Sequence, residues 1–229
     1  MWGAGAVVVL TALVVLAGAI SVRLQAPAPQ LVLPGGSAAV PVGPVNGAWA
    51  AEASSVAGFR VRETALGISG GVTGQTGAVT GTTVISGGQV TRAVFRIDLT
   101  SITVAGKTQP QFTRSLDTTQ YPSATITLAR PVTLPPAFTS GATITVTAPG
   151  SLTLRGITRL VTVTISARRD GTALQAAGSI PITLSRWGIT EPASYGMVGS
   201  LASHGTAEFL LVLHRDTGPG VARGRRAEP

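Results

Sequence analysis

The side chains that most often carry out chemistry are scarce in this chain of 229 residues, which has no cysteine and only two histidines. These are His204 and His214, about ten positions apart in the sequence. Without a thiolate or a carboxylate cluster beside them they make a poor metal site, because transition metals usually take three or four such ligands. We therefore predict neither a metal nor another cofactor.

One stretch does match a catalytic pattern, since Gly67-Ile68-Ser69-Gly70-Gly71 has the G-x-S-x-G spacing of a nucleophilic serine. That motif needs a strand before the serine and a helix after it, whereas another strand-like run follows here. The glycines at 71, 74, 77 and 81 also lack the lysine and helix of a phosphate loop, and we expect them to permit bends in a sheet. With no convincing pair of catalytic carboxylates, the sequence predicts a binding protein and not an enzyme.

The charge balance is basic, with 17 Lys and Arg against 9 Asp and Glu and a net charge of +8. The arginines within apolar runs stand singly and are not interleaved with stacking aromatics, so we predict no nucleic-acid partner. Two interpretations remain, a solvated exterior or a loose attraction to anionic lipid head groups. The arginines in question are Arg60, Arg62, Arg92, Arg96, Arg155 and Arg159.

Alternation with a period of two dominates the chain after Gly47. Between Gly141 and Arg169, two runs of alternating apolar and small polar residues flank a turn-like break. Such alternation with β-branched residues is typical of half-buried strands, because successive side chains point to opposite faces. Strands are predicted at Ala48–Trp49, Val56–Leu66, Val72–Ile85, Gln89–Leu99, Ala124–Ala129, Thr143–Thr147, Ser151–Leu154, Arg159–Arg168, Thr172–Ser185 and Thr206–Arg215.

One segment departs from this alternation, the crossover Lys107–Asp117, where Phe112 and Leu116 stand four apart as on one face of a short helix. Gly87-Gly88 and Asp170-Gly171 occupy predicted hairpin turns. We predict an all-β fold, an antiparallel up-and-down, lipocalin-like barrel with one short helical crossover. A Greek-key sandwich is the alternative, and the sequence separates the two poorly.

The N-terminal residues 1–22 are predicted to form a transmembrane anchor or a signal-peptide helix. Ala4 to Val22 is an uncharged apolar run of about 19 residues, long enough to span a bilayer. Ala17-Gly18-Ala19 fits a signal-peptidase site, so anchor and cleaved signal both remain open. Either one makes the membrane a partner through residues 4–22 and places the domain in the cell envelope, outside the cytoplasm.

Three further regions follow. Residues 23–46 are rich in proline and are predicted to be a semi-extended linker, whose Leu31-Val32-Leu33 could dock on the domain. Residues 47–215 form the barrel domain, and residues 216–229 a basic flexible tail. The oligomeric state is left open.

Several segments together resemble the YceI-like family, over roughly Trp49 to Leu213. The most specific is Gly150–Val161 (GSLTLRGITRLV), which is similar to the family's G-x-L-T-x-x-G-V-T-x-x-V stretch. The resemblance implies a lipocalin-like barrel that holds a long-chain lipid, of isoprenoid or polyprenyl type, in the bacterial envelope. The other matching segments are Gly58–Glu63, Ile97–Ile102, Tyr121–Thr125 and Ser185–Ile189.

Two departures from the family pattern concern polar positions. Relatives often carry an Arg-Asp pair in the crossover, which here reads Lys107–Phe112 (KTQPQF). Relatives also often have an acidic residue before the aromatic-Gly-Ile, where this chain has Arg186. Because polar residues at a barrel opening select the head group, these departures bear on the identity of the ligand.

The lipid-binding residues are predicted from the alternation and from the crossover. Phe59, Phe95 and Ile97 should face inward, opposite Arg60, Arg96 and Asp98 on the other face. A lid over the barrel opening is predicted from the crossover residues Phe112 and Leu116. Tyr121 and Trp187, near the ends of neighbouring strands, are predicted to complete it. A packed barrel without a ligand, acting as a structural or interaction module, is the alternative. The predicted ligand-binding residues are Phe59, Phe95, Ile97, Phe112, Leu116, Tyr121, Leu152, Leu154 and Trp187.

Overall fold

The computed structural model describes residues 28–36, 38–65, 68–190 and 199–216. These residues form strands and one short helix, α1 (Pro110–Leu116), together with two 3-10 turns at Pro136–Phe138 and Leu184–Trp187. The strands are β1 (Gly47–Ala51), β2 (Val56–Ala65), β3 (Ile68–Thr76), β4 (Val79–Ser86), β5 (Gln89–Asp98), β6 (Thr103–Val104), β7 (Ser123–Leu128), β8 (Val132–Thr133), β9 (Ile144–Leu154), β10 (Ile157–Asp170), β11 (Ala173–Thr183) and β12 (Gly199–Arg215).

The sheet closes on itself into a barrel. The strand order runs β1-β4-β5-β7-β9-β10-β11-β12-β2-β3-β6, and β1 also pairs with β12. β1 and β2 act as one bent strand of the barrel, and β3 and β4 act as another. With β5, β7, β9, β10, β11 and β12, the barrel has eight strands. Every pairing is antiparallel, so the all-β barrel with one short helix is confirmed.

The break expected between residues 147 and 151 is wrong. β9 runs without interruption through Ala148, Pro149 and Gly150, paired with β10 along its whole length. Pro149 cannot donate to a ladder, but its carbonyl accepts a hydrogen bond from the Ala129 N–H at 2.9 Å. The reversal lies further on, at Arg155 and Gly156, where both residues have positive φ (50° and 70°) as a tight hairpin turn requires.

The serine of the G-x-S-x-G stretch lies within a strand. Ser69 belongs to β3 and pairs with Thr64 of β2, their hydroxyl oxygens 3.2 Å apart. The next element after β3 is β4, another strand, so the strand-serine-helix arrangement of a nucleophile elbow is not formed.

The two ends of the barrel differ. One end, called the helix end here, carries α1, the β9–β10 turn at Arg155-Gly156 and the 3-10 turn Leu184–Trp187. The opposite end, called the floor, carries the β4–β5 and β10–β11 turns and the 3-10 turn Pro136–Phe138.

The predicted anchor or signal segment, 1–22, lies outside the described residues, as does nearly all of the predicted tail, from residue 217 onward. Among the residues that are described, no helix has the length and apolar character that a membrane span requires.

Candidate functional site

The barrel encloses a cavity of about 300 Å³. Its lining comes from the inward positions of every strand of the ring together with α1, and those side chains are almost all aliphatic or aromatic. An eight-stranded barrel is about the size at which side chains either fill the interior or leave room for one small ligand. Here they leave room.

The inward and outward faces follow the alternation of the sequence. On β5, Phe95 is buried and Ile97 lines the cavity, while Arg96 between them is exposed. On β2, Phe59 and Val61 line the cavity in the same way. A strand period of two therefore places the apolar residues inside over both strands.

Arg60, on the outer face of β2, is less solvated than the alternation suggests. Its Nη2 donates to the Ala28 carbonyl at 2.8 Å and lies 3.3 Å from Glu208 Oε1. The Glu208 side chain is only 1% exposed, so this ion pair is partly buried. The hydrogen bond from Arg60 to Ala28 attaches part of the segment before β1 to the outside of the barrel.

Three phenylalanines of the lining each lie directly across a ladder from a glycine. A Cβ built on each glycine would come within 2.4 to 2.7 Å of the facing ring, so the ring occupies the space of the missing side chain. The rings therefore lean against the sheet instead of standing in the centre of the barrel, and the interior stays open. The pairs are Phe59 with Gly74, Phe95 with Gly81, and Phe209 with Gly178.

The helix α1 covers part of the helix end. Pro110 stands in its first turn and Asp117 ends it in the left-handed conformation, with φ of 51°. Phe112 is buried in a cluster with Val61, Val72 and Val104, and its ring centroid is 5.6 Å from that of Phe59. Leu116, one turn further, lines the cavity. The crossover predicted to be helical is thus a roof over the cavity.

Seven of the nine residues predicted to bind a ligand line this cavity in the structure. They come from β2, β5, α1 and the end of β9, so distant segments of the chain meet around one space. Whether they contact a lipid stays a prediction. The seven are Phe59, Phe95, Ile97, Phe112, Leu116, Leu152 and Leu154.

Tyr121 and Trp187 are not among the residues that line the cavity, and their role as a lid stays a prediction. Trp187 is 1% exposed and packs in the wall with Leu152, Val163 and Ile180. Tyr121 lies against the β9–β10 turn, where a Cβ on Gly156 would be 2.7 Å from its ring. Both stabilise the wall of the helix end, because buried aromatic rings fill the gaps between neighbouring strands and turns.

The sequence pattern did not predict the residues that close the floor. The floor is built on Trp49, Phe138, Ile85 and Leu213, which form one buried cluster. The Trp49 Nε1–H donates to the Val45 carbonyl at 2.9 Å. Phe138 lies in a 3-10 turn, where no alternation reveals which side chain points inward, so a pattern with period two has no signal for it.

A buried arginine joins the floor to residues 38–46, which we call the strap. Arg169 is 6% exposed and lies on the same face of β10 as Ala167. Its guanidinium donates to the carbonyls of Thr139 and Val42 at 3.1 Å each and of Gly43 at 2.6 Å. The sequence pattern could have placed this side chain, because the alternation of β10 continues through Arg169.

Further hydrogen bonds hold the strap across the floor. The Val42 N–H donates to the Gly171 carbonyl at 2.9 Å, and the Gly171 N–H donates to the Ala39 carbonyl at 3.1 Å. Arg215, at the end of β12, donates to the carbonyls of Pro44 and Asn46. The described part of the predicted linker is therefore attached to the barrel.

The histidines are not brought together. His214 Nε2 lies 3.3 Å from Glu52 Oε2, and His204 is exposed on β12. Within the described ranges, no group of three or more His, Asp or Glu side chains is placed to hold a metal ion.

Comparison with known proteins agrees with this geometry. The sequence model of the YceI-like domain matches residues 49–205, well over half of the chain. The chain belongs to the YceI-like family. Its barrel is the fold expected from the resemblance, and a search of curated proteins gave no match.

Two solved structures resemble this YceI-like barrel. A polyisoprenoid-binding domain from Saccharophagus degradans, implicated in plant cell wall breakdown, matches with a TM-score of 0.56 and 14% identity, over 73% of this chain and 98% of that one. BcnA from Burkholderia cenocepacia matches with a TM-score of 0.49 and 19% identity, over 68% of this chain and 95% of that one. At such identities the likeness to the first shows the shared fold.

Proposed function

We propose that this YceI-like protein binds a long-chain lipid, of isoprenoid or polyprenyl type, in the barrel cavity, and that it does so in the bacterial cell envelope. The observation that carries the proposal is the apolar cavity of about 300 Å³ that the barrel's own side chains leave unfilled. A volume of this size is typical of ligand pockets, which run from about 300 to 1,000 Å³.

The lining suits a hydrocarbon tail. Burial of ten methylene groups at about 0.8 kcal/mol each gives about 8 kcal/mol of gross stabilisation. A net free energy of about 8 kcal/mol corresponds to roughly micromolar affinity, and association costs reduce it. Burial of ten methylene groups therefore supports at most roughly micromolar affinity.

The shape of the cavity favours a long, thin ligand over a compact one. The lining extends from Leu134 and Phe138 at the floor to Leu116 and Thr190 at the helix end, along the length of the barrel. Thr190 lines the cavity and is exposed at the helix end, whereas the strap lies across the floor. A lipid would therefore enter tail first at the helix end.

The relatives and the N-terminus support the proposal in different ways. The Saccharophagus degradans domain with this fold is described as polyisoprenoid-binding, which supports a lipid of that class. The apolar run from Ala4 to Val22 supports a position in the envelope, through an anchor or an export signal.

The proposal is tested by analysis of the copurified ligand. Native mass spectrometry and organic extraction of the detergent-purified full chain should reveal a bound isoprenoid. Val146→Trp fills the cavity, because Val146 lines it, and should abolish the bound lipid. Thr145→Trp adds the same ring at the adjacent exposed position and should retain the lipid. A wild-type barrel that never carries lipid would contradict the proposal and favour a structural or interaction module instead.

A further inference from the structure

Three arginines lie around the 3-10 turn Leu184–Trp187 at the helix end. Arg155 lies in the β9–β10 turn, Arg159 in β10 and Arg186 in the 3-10 turn Leu184–Trp187. The Arg159 Nε–H donates to the Arg186 carbonyl at 2.6 Å. A Cβ on Gly188 would lie 3.4 Å from Arg155 Nη1, so the Arg155 guanidinium reaches the same turn. The β9–β10 hairpin and the 3-10 turn thus place three arginines around one turn of the helix end.

No carboxylate neutralises this group among the residues that the structure describes. The two ion pairs found there are Arg60–Glu208 and Glu52–His214, and neither involves these arginines. The Nε atom of Arg155 is moreover buried without a hydrogen-bond partner. Like charges held together repel one another, and such an arrangement is relieved when an anion binds.

The arginines lie next to residues that line the cavity. Leu154, which precedes Arg155, lines it, and so do Leu184 and Ile189 on either side of Arg186. A tail that lies among these three side chains therefore places its polar end within reach of the guanidinium groups. The Arg186 guanidinium carbon lies 5.8 Å from the centroid of the Trp187 ring, a cation–π contact that orients it.

We propose that Arg155, Arg159 and Arg186 form a recognition site for an anionic, phosphate-type head group on the lipid that occupies the cavity. This inference rests on the proposed function and names the class of lipid, a prenyl phosphate or diphosphate in preference to a prenyl alcohol. The guanidinium fork suits the purpose, because it donates paired hydrogen bonds to phosphate oxygens.

The test compares two probes with the same tail, geranylgeranyl monophosphate and geranylgeraniol, by native mass spectrometry of the full chain. The phosphate should bind at least about tenfold more tightly than the alcohol, since charge-assisted hydrogen bonds replace neutral ones. Its affinity should fall as the salt concentration rises, while that of the alcohol should not.

Single substitutions test whether these arginines bind the phosphate head group. Arg159→Gln and Arg186→Gln should each weaken binding of the monophosphate by about tenfold and leave binding of the alcohol unchanged. Arg96→Gln is the matched control, because Arg96 is exposed on the outer face of β5. It should alter neither probe.

Other outcomes overturn the inference in distinguishable ways. Equal affinity of the wild-type protein for both probes would refute head-group recognition and leave the lipid cavity intact. Inorganic diphosphate that binds as tightly as the prenyl phosphate would show a free-anion site. If the variants weakened only binding to phosphatidylglycerol vesicles, the arginines would belong to a membrane-contact surface. If neither probe bound, the proposed function itself would fail.

Discussion

Phe209 on β12 lies directly across the ladder from Gly178 on β11, and its ring occupies the place of the side chain that Gly178 lacks. A Cβ at Gly178 would lie 2.4 Å from Phe209 Cζ, closer than real contacts allow. The ring is therefore held against the wall, and the pairing protects the volume of the cavity. In this barrel, a glycine inside a strand keeps the interior open, and it also permits the sheet to bend.

Gly178→Ala should destabilise the protein and expel the ligand. The added methyl group meets both the Phe209 ring and the Thr164 carbonyl oxygen, the latter at 2.9 Å, so the ring must turn into the cavity. Overpacking of this kind costs about 1–3 kcal/mol. Urea denaturation measures the free energy of unfolding, and mass spectrometry of the purified protein measures the bound lipid.

The control for this prediction is Gly70→Ala, at an exposed position of β3 across the ladder from Glu63, where the nearest atoms to an added Cβ are 3.9 Å away. It should change the unfolding midpoint little. Phe209→Leu combined with Gly178→Ala should recover part of the lost stability. Similar midpoints for Gly178→Ala and Gly70→Ala would show that the ring is not confined by the glycine.

Ile97→Asp should destabilise the barrel, whereas Arg96→Asp should be nearly silent. Ile97 lines the cavity opposite Val79 and Ala124, so the new carboxylate would have no polar partner there. An unpaired buried carboxylate costs several kcal/mol, while a substitution at the exposed Arg96 changes stability by about 0.5 kcal/mol or less. Thermal unfolding measures both variants, and equal melting temperatures would mean that the register of β5 is wrong.

Arg169→Met should loosen the strap from the floor. The part-buried hydrogen bonds from the guanidinium to the carbonyls of Thr139, Val42 and Gly43 would be lost, and a hydrogen bond to a charged group contributes about 1.5–3 kcal/mol. The N–H of Val42 should then exchange with solvent faster, which hydrogen-exchange mass spectrometry detects. Arg92→Met, at an exposed position of β5, is the control. Unchanged exchange in Arg169→Met would show that the other bonds hold the strap by themselves.

The location of the protein is tested by a fusion at the end of the barrel. A reporter that is active only outside the cytoplasm, joined after Arg215, should be active and should fractionate with membranes if residues 4–22 anchor the chain. If the segment is a cleaved signal, the reporter should be active but soluble. An inactive, soluble fusion would refute both the anchor and the signal.

The fold could be predicted from the sequence because the alternation of apolar and polar residues, and the residues typical of turns, are local features of the chain. The inward positions of Phe95 and Ile97 follow from the period of two alone. The break predicted around Pro149 is not formed, because pairing with neighbours on both sides overrides the local turn preference. The burial of Trp187 could not be predicted from the sequence, since it depends on residues of β9, β10 and β11 that pack around the ring. Which polar groups meet the strap is likewise decided by tertiary contacts.

The roof and the wall of the helix end should respond differently to truncation. Leu116→Ala removes a half-buried side chain from α1, so it should change stability modestly while speeding the release of bound lipid. Trp187→Ala removes a side chain that is 1% exposed, and truncation of a buried aromatic costs about 3–5 kcal/mol. Lipid release is measured by transfer of a fluorescent prenyl probe to vesicles, and stability by urea denaturation. If Leu116→Ala left the release rate at the wild-type value, α1 would not control access, and the route into the cavity would have to lie elsewhere in the barrel.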